Sequence, residues 1–341
     1  MKSGLGSPGV SSPWVMNGRI PKHRRLRILC LFVLLISPNL ACFAEQADDG
    51  FRQFFYRDGR QLEVIINSEF SADARDNLVD WIDHISEALR NVYGHWPHEY
   101  WQVAIAPTAA RGSDPIPWAQ VLRSPATRVE FYTTANPTLE ELRSDWTGYH
   151  EMAHLLIPYR GWGDYWFTEG LASYYQNVLQ ARAGIITEQQ MWQKLYDGFQ
   201  RGIAEKRFNG RPLSDVSKNM RVDGGFMRVY WSGACYFLAA DTRLRLQSAG
   251  ALTLDDALAK LNACCGQSSM SVPHIVTKLD QLNHVTIFGE LYEEFVDATE
   301  FPSFDMLFAS LGVKVINGVV VLQQDGPEAR LRRAIVEGAN Q

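Results

Sequence analysis

His150-Glu151-Met152-Ala153-His154-Leu155-Leu156-Ile157-Pro158, followed by Asp164-Tyr165-Trp166-Phe167-Thr168-Glu169, is the stretch on which the reading of this 341-residue chain turns. Thr138 and Glu141 stand at capping-box spacing, so a helix is expected to begin at 139 and run to 157. Leu142, Trp146, Tyr149, Ala153 and Leu156 give it an apolar stripe, and Pro158 stops it. Residues four apart lie one turn above each other, so the imidazoles of His150 and His154 reach one ion. Glu151 lies further round the helix, where it meets a water on that ion as general base. A hydrolytic zinc site takes three protein ligands and keeps a fourth position open. Pro158, Gly161 and Gly163 make a turn, and an antiparallel return from Asp164 sets Glu169 beside both histidines as the third ligand. The expected constellation is therefore one Zn2+ on His150, His154 and Glu169, with Glu151 as base. A carboxylate ligand leaves the site at a net charge of about +1, which keeps its water acidic.

Outward from this centre the chain divides in character near residue 138. Before it, Gln61 to Phe70 reads as a strand, and Ser71 caps a helix with Leu78, Trp81, Ile82, Ile85, Leu89 and Val92 on one stripe, ended by Gly94. Tyr100 to Ala106 reads as another strand, and 118–123 with 128–134 as a hairpin around Ser124-Pro125. After it, helices are expected over 164–184, 187–203, 226–246 and 254–262, then a hairpin at Asn317-Gly318 and a last helix over 327–336. The fold class is thus α+β: a small N-terminal α/β lobe with a mixed sheet at 45–137, a helical catalytic lobe at 138–341, and the zinc site between them.

Residues 1–44 read as an export signal rather than structure. Arg19, Lys22, Arg24, Arg25 and Arg27 precede an apolar run from Ile28 to Ile36, too short to span a bilayer, and small residues at Ala41 and Ala44 suit cleavage near Ala44. The protein is expected in a periplasm or outside the cell; a membrane enters only through the weaker alternative of a lipid anchor at Cys42. Taking the six cations of residues 1–44 from the chain's 33 leaves 27 against 38 acidic side chains, a formal charge of −11. Such a surface does not neutralise phosphates, so nucleic acid is excluded as a partner. Cys235, Cys264 and Cys265 remain; an oxidising compartment allows one disulfide from Cys235 to a member of the vicinal pair, which leaves an odd thiol, and the sequence does not decide the pairing.

The motifs together resemble the catalytic domain of the M61 (glycyl aminopeptidase) family of gluzincin metallopeptidases. The likeness rests on His150-Glu-Met-Ala-His154, Trp166-Phe-Thr-Glu169-Gly-Leu-Ala-Ser-Tyr-Tyr175, Arg182-Ala-Gly184, Leu213-Ser-Asp-Val-Ser217, Tyr230-Trp-Ser-Gly233 and Leu252-Thr-Leu-Asp-Asp256. It covers about 138–315 and implies a thermolysin-like fold, zinc on His150, His154 and Glu169, and Glu151 as general base and acid. It also implies that Tyr230 donates a hydrogen bond to the oxyanion. Asp241 is read as the charge partner of Arg243.

Two departures are visible. The 14 residues between His154 and Glu169 make a shorter loop than the family's, and neither hairpin strand carries a Gly-x-Met-Glu-Asn element. Glu130, the only carboxylate in those strands, is read as solvated rather than amine-binding. The expected function is zinc-dependent peptide-bond hydrolysis on peptide or protein substrates, aminopeptidase or endopeptidase left open. The other class is a catalytically silent exported binding or scaffold protein that retains the fold.

Overall fold

The computed structural model describes residues 50–109, 114–159 and 163–338. The expected signal segment therefore lies outside the described residues, as does Trp162. The described residues form one compact unit.

The sheet begins one strand earlier than the sequence reading placed it. β1 (Phe51–Arg57) folds back on β2 (Arg60–Ile66) through Asp58 and Gly59, at φ 50° and 72°. An Asp-Gly pair with both residues at positive φ is a strong two-residue hairpin signal; β1 itself, Phe-Arg-Gln-Phe-Phe-Tyr-Arg, lacks the strict apolar–polar alternation that marks a strand. β3 (Tyr100–Pro107), β4 (Trp118–Leu122) and β5 (Arg128–Thr133) complete the order β1-β2-β3-β5-β4. β2, β3 and β5 run parallel and the two outer strands antiparallel, so the sheet is mixed. The crossover from β2 to β3 is α1 (Ala72–Tyr93), capped by Ser71 and ended by Gly94 at φ 76°, as its sequence signals require. Its buried stripe, Leu78, Trp81, Ile82, Ile85 and Leu89, packs on the inner face of the sheet, where Trp81 meets Phe131 edge-on at 4.9 Å.

The expected helix over 139–157 is broken into three pieces: α2 (Leu139–Ser144), α3 (Thr147–Ala153) and a 3-10 turn at His154–Leu156. Thr138 and Glu141 do form the capping box of α2. Asp145 is the reason for the break: its backbone is extended, and its carboxylate accepts a hydrogen bond from the Thr147 amide at 2.7 Å. A short acidic side chain that caps the next segment competes with helix continuation.

The helical part is built on α4 (Tyr165–Arg182), α5 (Glu188–Ala204), α6 (Leu213–Asp223), α7 (Phe226–Gln247) and α8 (Leu254–Cys265). α9 (Val272–Asn283), α10 (Ile287–Val296) and α11 (Asp305–Ser310) follow, then the β6 (Val313–Ile316) and β7 (Val319–Leu322) hairpin turning at Asn317-Gly318, and α12 (Pro327–Glu337). In α4 every residue is buried except Glu169 and Arg182, which makes it the central helix of the layer.

Three sequence readings are corrected here. The structure joins Cys264 to Cys265 and leaves Cys235 a free, buried thiol in the middle of α7, away from the exposed end of α8. Asp241 pairs with Arg245 at 2.9 Å, not with Arg243, which reaches Glu294. Only the i,i+4 neighbour shares a helix face with Asp241. Glu130 is 5% exposed rather than solvated, because Gln120 across the β4–β5 pair donates to it at 2.8 Å.

Candidate metal centre

The site is assembled by two helices whose relative position is fixed by glycine. α4 and α7 meet at Gly170 and Gly233, where a β-carbon on Gly170 would stand 2.3 Å from the Gly233 Cα. One on Gly233 would stand 1.7 Å from the Trp166 carbonyl oxygen. No larger residue is accommodated at that crossing. Glu169 precedes one of these glycines and Tyr230 lies one turn before the other, so the close approach sets their side chains on a common cleft. The start of α4, which lacks a side-chain cap of its own, is held by Ser217 on α6. The Ser217 hydroxyl donates to the Gly163 carbonyl at 2.7 Å and accepts from the Trp166 amide at 3.0 Å.

The return of the chain brings His150, His154 and Glu169 together, with their ligand atoms all within 4.8 Å of one another. Nε2 of His150 lies 3.2 Å and Nε2 of His154 lies 3.5 Å from the same Glu169 oxygen. Two ligands of a tetrahedral zinc at about 2.0–2.1 Å are about 3.3 Å apart, so the spacing is that of a tetrahedral face. Chemically the set also suits a cation. Two imidazole lone pairs facing one carboxylate oxygen repel unless a positive charge lies between them. Burial opposes charging His150, but the adjacent Glu169 outweighs it and holds the imidazole above its ordinary value. Burial likewise opposes the Glu169 carboxylate, and the two imidazoles hold it well below the usual range.

The orientation of His150 is fixed from behind. Its Nδ1 lies 2.7 Å from the Gln176 amide oxygen, and both side chains are buried. An amide oxygen can only accept, so Nδ1 carries the proton and Nε2 keeps its lone pair for an ion. Gln176 stands seven residues after Glu169, two turns along the same face of α4; that spacing was the available signal for a residue the motif reading missed. The Arg123 guanidinium, just beyond β4, donates to the His154 carbonyl oxygen and ties the edge of the sheet to the end of the motif.

Glu151 is half-buried beside these three side chains, and burial pushes its carboxyl above the ordinary range against the pull of His154 and His150. The Tyr230 ring stacks on His150, centroids 6.1 Å apart and planes 19° from parallel. Burial and then the Glu169 and Glu151 carboxylates push the phenol well up, so it stays a hydrogen-bond donor at any working pH. Of the aromatics that could line a cleft, Trp166 is fully buried in the core and Trp118, on the edge strand β4, is exposed against Tyr132 of β5.

The model of the M61 glycyl aminopeptidase family matches residues 162–233, a span that holds both Glu169 and Tyr230. No curated protein sequence matches the chain. Among solved structures, an aminopeptidase N family protein from Idiomarina loihiensis aligns with a TM-score of 0.60 and 18% identity, over 78% of this chain and 49% of its own. An M1 zinc metallopeptidase from Deinococcus radiodurans aligns with a TM-score of 0.50 and 18% identity, over 74% and 53%. A mutant of an M1 zinc metallopeptidase from the same organism, bound to a Tyr-ser-ala substrate, gives 0.51 and 17% over the same shares. The chain spans about half the length of these structures, and the likeness is one of fold.

Proposed function

We propose that residues 50–338 carry a gluzincin-type peptidase domain and that the protein hydrolyses peptide bonds with one zinc ion held by His150, His154 and Glu169. The observation that carries this is the convergence of two imidazole nitrogens on one carboxylate oxygen, with Glu151 and Tyr230 facing the same cleft. A bound zinc ion supplies an acidified water and polarises a substrate carbonyl. Glu151 takes the proton of the attacking water and delivers it to the leaving amine; its raised affinity for a proton suits that shuttle. The Tyr230 hydroxyl donates to the oxygen that gains negative charge. Gln176 keeps His150 in the ligand tautomer throughout. A peptide as substrate class is supported by the M61 match and by the Tyr-ser-ala peptide of the M1 relative.

Among the described residues β4 is the edge strand of the sheet, and its edge, tied by Arg123 to His154, is a surface on which an extended peptide adds as a further strand. On this reading residues 45–137 and 138–341 supply the two sides of the cleft. Export follows from the basic and apolar pattern of residues 19–36. Among the described residues no helix is long and apolar enough to cross a membrane.

The deciding experiment is Glu151→Gln. The variant should retain one zinc per chain and lose cleavage of a mixed peptide library; undiminished cleavage would remove the mechanism. N-terminal sequencing of the protein from cell fractions tests export: a chain found intact from Met1 in the cytoplasm would exclude it.

A further inference from the structure

Four rings are in successive contact at the site, and the first and last of the series are exposed. Trp146 meets His150 edge-on at 5.4 Å, His150 stacks on Tyr230 at 6.1 Å, and Tyr230 meets Phe226 at 6.3 Å, nearly perpendicular. Trp146 is 46% exposed and Phe226 is 42% exposed. Each stands four residues before its neighbour in the series, so each occupies the same helix face one turn earlier. Trp146 is the residue from which α3 starts, and Phe226 is the first residue of α7, directly after the Gly224-Gly225 turn at φ 85° and 93°.

Large exposed apolar side chains are common singly and need no explanation. These two differ because one touches His150 and the other touches Tyr230. Neither belongs to the buried core, and each leaves more than two fifths of its surface to solvent. A substrate whose scissile carbonyl faces Tyr230 lays its neighbouring side chains towards one ring on each side. A planar apolar wall selects an apolar side chain by removing both surfaces from water, with ring-on-ring contact adding to aromatic residues.

We propose that Trp146 and Phe226 are specificity-determining residues that select a large apolar or aromatic side chain on each side of the scissile bond. The proposal rests on the peptidase reading of the site, and it narrows the substrate class to peptides with a bulky apolar pair at the cleavage point. Glycine at these positions leaves both rings wet.

The test uses the full chain loaded with zinc and carrying Glu151→Gln, so that binding is read without turnover. Four blocked hexapeptides, otherwise Ala and Ser, carry Phe-Phe, Phe-Gly, Gly-Phe or Gly-Gly at the centre, and affinities are measured by calorimetry. Phe-Phe should bind about tenfold to a hundredfold more tightly than Gly-Gly. Adding Trp146→Ala should abolish the preference at one central position, and adding Phe226→Ala at the other. Trp146→Leu and Phe226→Leu, read alongside zinc content, guard against loss of fold. Tyr56→Ala, an exposed aromatic on β1, should leave the preference as it was. Equal affinity for Phe-Phe and Gly-Gly, no measurable binding of either, or loss at the same position in both variants would overturn the proposal. A clear Phe preference, with wild-type zinc-loaded protein cleaving neither these peptides nor their unblocked counterparts, would instead remove the peptidase reading and leave the two subsites standing.

Discussion

Gly170 and Gly233 touch backbone to backbone, and this contact sets the distance between the helix that carries Glu169 and the helix that carries Tyr230. The neighbours that a β-carbon would strike are main-chain atoms, which cannot swing aside. Gly233→Ala is therefore expected to sit at or beyond the upper end of the about 1–3 kcal/mol typical of overpacked cores. Thermal unfolding of zinc-loaded protein reads the loss. An unchanged melting temperature would mean that α4 and α7 are not locked at this crossing.

Gln176 touches His150, and through it would act on a metal held there. Gln176→Leu removes the acceptor for Nδ1 and should weaken zinc binding by about 10-fold to 100-fold, measured by competition with a chromophoric chelator. Gln176→Glu restores an acceptor and should restore binding, which a purely space-filling role for Gln176 would not predict.

For Tyr230→Phe, zinc content and fold should be retained, since the ring still stacks on His150, while kcat falls by about 10²-fold to 10³-fold. A fall confined to KM would place the hydroxyl in substrate binding rather than at the oxyanion.

Zinc removal should lower stability as well as stop turnover, because the three ligands converge only in the folded chain. The melting temperature of chelator-treated protein should rise with each increment of zinc and level off at one equivalent. Insensitivity to zinc would show that the three side chains do not form a binding site.

Far from this centre, Glu63 on β2 gives the fold an acid-sensitive point. Burial works against its charge, but hydrogen bonds from Tyr100, Gln102 and Arg52 outweigh that and lower its pKa below the ordinary 4.5. A carboxyl with a depressed folded value contributes stability above its unfolded pKa. That contribution is lost as pH falls below about 4.5 towards the folded value. Glu63→Gln should thus flatten the decline in melting temperature between neutral pH and pH 3.5. An identical decline in both proteins would show the carboxylate to be energetically silent.

Much of the architecture could be read from spacing alone, because it is enforced locally. The Ser71 and Thr138 caps, the Gly94 terminus, the hairpin at Asn317-Gly318 and the helices at 226 and 254 all begin or end where short-range signals require. His150 and His154 face one point because four residues make about one turn. What escaped reading depends on partners distant in sequence or on a single side chain that overrides periodicity. Asp145 splits a continuous apolar stripe by capping Thr147. Glu130 is buried by a cross-strand glutamine, and Asp241 chooses Arg245 over Arg243 by helix face. Ser217, 54 residues from Gly163, holds the start of α4 with one hydroxyl, and nothing near either residue announces it.

Cys235 follows Gly233 by two positions on α7 and is 1% exposed, with burial pushing its thiol far above the ordinary value. Burial and the Glu294 carboxylate of α10 keep that thiol protonated, so it reacts only when the packing around α7 opens. The same helix carries Tyr230. The rate at which a thiol reagent modifies Cys235 is therefore an internal clock for the loosening of α7, and it runs on the lifetime of the helix packing rather than on the chemistry of the reagent.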